Sequence, residues 1–82
     1  MERDIDVSEL EPPEPMERIL DALADMSPGD WLKILHRREP FPLYNMLKSM
    51  GYCWSTLRGE SHPFEIYIWP EDQPPPPGVE SC

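Results

Sequence analysis

The chain has 82 residues, 39% of them hydrophobic, with three Trp, three Tyr and two Phe, and its formal net charge is −9. That length bounds it to one small domain with a limited core, and the apolar content is too high for a wholly disordered chain. The negative charge argues against nucleic acid as a partner, since phosphate recognition needs a basic footprint.

The charge is unevenly spread. Residues 1–30 hold ten acids against Arg3 and Arg18, and residues 59–82 hold five acids with no Lys or Arg. Residues 31–58 reverse the sign, with Lys33, Arg37, Arg38, Lys48 and Arg58 against Glu39. Only Cys53 and Cys82 are present, fewer than a disulfide-stapled secreted domain usually carries. The opening MERDIDVSEL lacks the apolar stretch of a signal peptide, and no apolar run approaches the roughly 20 residues of a membrane helix. A soluble, cytoplasmic protein is expected, with no membrane contact.

The first strand is expected over residues 4–8, where Ile5 and Val7 share a face. A proline-rich segment, LEPPEP at residues 10–15, leads into a helix with Met16, Ile19, Leu20, Leu23 and Met26 at helical spacing. Residues 27–30, SPGD, are strong turn chemistry. A second strand follows at residues 31–36, with Leu32 and Ile34 on its buried face. The next helix starts near Pro42, carries Leu43, Met46, Leu47 and Met50 on one stripe, and ends at Gly51. Residues 52–57 read as a third strand and residues 62–69 as a fourth, in which Phe64, Ile66 and Ile68 alternate with Glu65, Tyr67 and Trp69. From Pro70 the chain is proline-rich and acidic, an extended and flexible tail with no expected share in the core.

The domain thus spans residues 4–69, between a short extension at residues 1–3 and a tail at residues 70–82. The order βαβαββ predicts an α+β two-layer sandwich: a four-stranded mixed sheet with both helices on one face. The other face would stay largely open, presenting Trp31, Tyr67 and Trp69; the side taken by Trp54 is ambiguous.

Two motifs carry a resemblance. The LEPPEP segment, placed after a short strand at a helix start, is similar to the Leu-x-Cys-Pro-x-Pro motif of the TusA/SirA-like sulfur carriers. Pro13 and Pro15 match the motif's prolines, and Pro12 stands at its cysteine. LEPPEP, together with REPFPLY at residues 38–44, resembles still more closely an uncharacterised group of bacterial relatives of that fold. The resemblance implies the sheet order 1-2-4-3, with only the fourth strand antiparallel, and a setting in sulfur metabolism.

The residues at this helix start oppose carrier chemistry. A thiolate there is favoured by the helix dipole and free N–H groups, but Pro12 has neither thiol nor N–H, and Glu11, Glu14 and Glu17 add negative charge. Cys53 and Cys82 are the remaining thiols, without a basic neighbour in sequence to activate them. The implied topology brings His36 near His62, with Glu11 and Glu39 at the same sheet edge, a weak metal-ligand set without compact spacing. Arg37 and Arg38 stand before the second helix, where they suit either an anion or pairing with Glu11, Glu14 or Glu39.

These residues point to a non-catalytic protein-interaction or regulatory module without a cofactor. Its candidate surface is Glu11, Glu14, His36, Arg37, Arg38, Glu39 and His62, and its partner is another protein. The alternatives are a sulfur-transfer or redox accessory protein using Cys53 or Cys82, and a His36/His62 metal-binding module.

Overall fold

Every second residue of WLKILH must leave water if a sheet is to bury one face. In the computed structural model, which describes residues 1–59 and 63–80, this segment is a central strand. The elements are β1 (Glu2–Asp6), α1 (Glu14–Ala24), β2 (Trp31–His36), α2 (Phe41–Met50), β3 (Tyr52–Leu57) and β4 (Phe64–Pro70). The sheet order is β1-β2-β4-β3. β1 is parallel to β2, and β4 is antiparallel to both β2 and β3. The expected mixed four-stranded sheet and its order are therefore present.

Leu32 and Ile34 lie opposite Ile68 and Ile66 across the β2–β4 pairing. These four join Ile19 and Leu23 of α1, Leu43 and Leu47 of α2, and Val7 in one buried cluster, which places both helices on the same face. Burying each such aliphatic side chain contributes about 1.5–3 kcal/mol. Trp54 lies on this helix-covered face too, opposite Ile68. Its ring stacks on Tyr44 at 5.2 Å between centroids and 6° between planes. Gly51 closes α2 in the left-handed conformation (φ 85°), the state that suits glycine at a helix end.

β1 starts at Glu2 and stops at Asp6, earlier than the alternation of Ile5 and Val7 suggested. Val7 is buried just past the strand, and its N–H donates to the Leu35 carbonyl at 2.9 Å. Residues 2 and 3 are thus strand rather than extension. Arg3 explains the early start: its Nε donates to Asp30 Oδ2 at 2.9 Å. Asp30 also accepts the Ser27 N–H at 3.1 Å, fastening the turn between α1 and β2. The Ser27 N–H, then Arg3, holds the Asp30 carboxyl below its ordinary value.

The face away from the helices is less open than expected. Trp69 is 2% exposed, and Pro76 is buried as well. Pro74, Pro75 and Pro77 line a depression together with Trp31 and Trp69. The proline segment after β4 therefore covers part of the sheet, because rigid proline faces and an indole can exclude water together. Trp69 leaves the set of open-face aromatics. Trp31 and Tyr67 are half-buried: Trp31 Nε1 donates to Glu2 at 3.1 Å, and Tyr67 lies 5.8 Å beneath the Lys33 ammonium. Among the described residues, no helix is long and apolar enough to cross a membrane.

Two outcomes follow for stability. Ile66→Ala should cost about 2–5 kcal/mol in chemical denaturation, as a cavity opens in the core; a loss of a few tenths would contradict the packing described. Asp30→Asn should lower the melting temperature at neutral pH. Because the folded carboxyl is held low, its stabilisation is present above the unfolded value of about 3.9 and is lost as pH falls through the folded one. The gap between wild type and variant should therefore close in acid, and a gap independent of pH would refute the Asp30 assignment.

Candidate functional site

Both helices open on prolines. Pro13 caps α1 and Pro15 lies in its first turn; Pro40 caps α2 and Pro42 lies in its first turn. Proline is tolerated there because those N–H groups have no partner within the helix, and its fixed φ suits the entry. Neither helix start has a side-chain cap. The Pro12–Pro13 peptide bond is cis.

Between the two starts lies a groove of about 430 Å³. Its α1 side is Pro12, Pro13, Pro15, Met16 and Ile19; its α2 side is Arg38, Glu39, Pro40, Pro42 and Leu43, with His36 also on the wall. This size falls within the usual 300–1,000 Å³ of small-ligand sites, which combine apolar walls with few polar groups. A larger depression of about 750 Å³ runs along β1 and α1, lined in part by Asp6, Arg18, Asp21 and Asp25. It is wider open and lacks the proline walls.

His36 reaches the groove because the alternation of β2 continues through it. Leu32, Ile34 and His36 share the helix-covered face, and His36 lies opposite Phe64 of β4. It is 8% exposed. Its Nδ1 accepts the Arg38 backbone N–H at 3.1 Å, so the neutral ring carries its proton on Nε2. Burial first, then the charges of Arg37 and Arg38, pushes the His36 pKa down.

The flanking charges are largely committed elsewhere. Arg37 donates to Glu11 at 3.3 Å, linking the entry of α1 to the end of β2. Glu39 accepts the Tyr44 hydroxyl at 3.1 Å, and that hydroxyl also meets Thr56 of β3. Burial is the main reason the Tyr44 pKa is pushed up to about 12. Glu14 is exposed in the first turn of α1. Arg38 is exposed at the rim, and among the described residues its guanidinium makes no ion pair.

The structure thus gathers Glu11, His36, Arg37, Arg38 and Glu39 around the two helix starts. His62 and Cys82 lie outside the described residues. Cys53 is buried on the opposite face of the sheet, facing Trp69 in register. It is disulfide-bonded and presents no free thiol. Trp31 and Tyr67 are likewise remote from the groove, on the far side of the sheet. Among the described residues, no three His, Cys, Asp or Glu side chains gather as a metal site. The groove walls themselves were missed in sequence. Their signal was the repeated Pro-x-Pro spacing, Pro13/Pro15 and Pro40/Pro42, at both helix starts.

Fold and groove together define a small two-layer α/β domain with a preformed apolar recess where its helices begin. Residues 4–70 match the model of the family described as an uncharacterized conserved protein (DUF2249), and the chain belongs to that family. No curated protein and no solved structure matches it.

The depressed His36 pKa has a measurable consequence. Above the unfolded value of about 6.5 the ring is neutral in both states and no proton uptake opposes folding. As pH falls below that value toward the lower folded pKa, the unfolded chain binds the proton first and stability declines. His36→Phe should flatten this part of the stability–pH curve, measured by denaturant unfolding between pH 7.5 and 5. An equal slope in both proteins would contradict the buried neutral imidazole.

Proposed function

We propose that this domain works by binding rather than by catalysis, as a protein-interaction or regulatory module whose recognition site is the groove between the helix starts. The observation that carries this reading is the groove wall. Prolines from both helices, with Met16, Ile19 and Leu43, make a rigid apolar recess, and its lining residues include no thiol or hydroxyl nucleophile.

A distant kinship with the TusA/SirA-like carriers fits the same picture. The sheet order β1-β2-β4-β3 agrees with the order that resemblance implies. Pro12 occupies the position of the carrier cysteine and lines the groove. In this reading the helix start has exchanged a reactive sulfur for a contact surface. Rigid walls favour binding, since little conformational entropy is lost when a ligand settles on them. The partner is a protein, and a setting in sulfur-linked metabolism is carried by the kinship alone.

The test is affinity capture from the native cell with mass-spectrometric identification. Wild type should retain a protein that Met16→Arg, which places charge in the groove, releases. Lys48→Glu, on the exposed side of α2, should retain it. Identical captured sets for all three folded proteins would refute the groove as the recognition site.

A further inference from the structure

His36 combines three properties that ordinary core histidines do not share. It is 8% exposed, it lines an apolar groove, and among the described residues only one of its ring nitrogens has a partner. Nδ1 receives the Arg38 N–H, while Nε2–H has no acceptor among the described residues. A buried donor without an acceptor is disfavoured by its desolvation, and such groups are rare in folded proteins. A ligand that meets this N–H must be an acceptor.

The surrounding charge decides what kind of acceptor. Arg37 is paired with Glu11, so the cation left for a ligand at the groove is Arg38. The nearby carboxylates have partners of their own or lie off the groove wall, with Glu39 keeping its charge. Glu11 is paired with Arg37, and Glu39 is turned to the Tyr44 hydroxyl. Glu14 and Glu17 belong to the first turn of α1 but not to the groove wall. Arg38, exposed and without an ion pair among the described residues, supplies a counter-charge at the rim. The rest of the wall is proline, Met16, Ile19 and Leu43, which favours an apolar body. The volume of about 430 Å³ suits a small molecule.

We propose that the groove binds a small carboxylate with an aromatic or branched apolar body, its carboxylate accepting the His36 Nε2–H and facing Arg38. This rests on the reading of the groove as the recognition site and adds to its protein partner a small ligand that would compete for the same walls. Binding adds one charge-assisted hydrogen bond and one ion pair to contacts that the uncharged analogue also makes.

The full chain is titrated at neutral pH with phenylacetate, 3-phenylpropionate and isovalerate, with phenylacetamide and a short peptide ending in a free phenylalanine as comparisons. Amide NMR shifts at Met16, Arg38 and Leu43 are the readout. At least one free acid should saturate, bind about tenfold or more tighter than phenylacetamide, and weaken about tenfold in His36→Phe and in Arg38→Gln. Arg38 is exposed, so that variant keeps the test valid if the His36 replacement does not fold. The assignment is overturned if no acid saturates, if the amide binds as tightly, if the peptide alone binds, or if Arg38→Gln leaves affinity unchanged. Should the acids fail while Met16→Arg still releases a captured protein, the carboxylate falls and the groove stands; should both fail, both readings fall.

Discussion

The alternation of β2 is the constraint from which the rest follows. This strand is paired on both sides, with β1 and β4, and both helices cover one of its faces. Leu32 and Ile34 satisfy that environment with no measurable exposure. A strand cannot change face without breaking its register, so the next inward position, His36, is carried into the same covered layer. A polar ring is thereby placed where an aliphatic residue would pack with less cost. Its location at the end of the strand brings it beneath the starts of both helices.

Those starts are built to receive it. The prolines replace N–H groups that would otherwise seek acceptors, and they leave rigid apolar faces around the imidazole. Arg38 completes the arrangement twice. Its backbone N–H fixes the ring's hydrogen-bond pattern, and its side chain stands at the rim. The Glu11–Arg37 pair is exposed and individually weak, but it spans the two connections that form the groove. Behind α2, the Tyr44–Trp54 stack and the Tyr44–Glu39 hydrogen bond hold the second helix start against β3 and orient Glu39 away from an unpaired state.

Much of the architecture was legible because periodicity reports burial directly. Ile19/Leu23, Leu43/Leu47 and the alternation of Leu32, Ile34, Ile66 and Ile68 became the core as read, whereas Met46 and Met50 of the second helical stripe are exposed. The first strand was misplaced because Arg3 sits at an inward position, and its partner Asp30 is distant in sequence. Trp69 was read as exposed because period two gives the side of a sheet but not what covers it. The cover comes from prolines whose composition suggests a free tail, yet Pro76 is buried. Trp54 resolved toward the helices through its stack on Tyr44.

The candidate site was only partly legible. His36, Arg37, Arg38 and Glu39 stood out as unusual polar residues, but their roles depend on which partner each finds. Arg37 is engaged with Glu11, whereas Arg38 has its guanidinium at the groove rim. No sequence spacing separates those two outcomes. The prolines mark where each helix begins, and their role as walls depends on the fold bringing both helix starts together.

The central claim is that His36 is a buried, neutral donor on the wall of this groove. Long-range proton–nitrogen NMR of the histidine ring measures it most directly. At neutral pH the account predicts an unprotonated Nδ1 and a protonated Nε2. A proton on Nδ1, or a charged imidazolium, would contradict it.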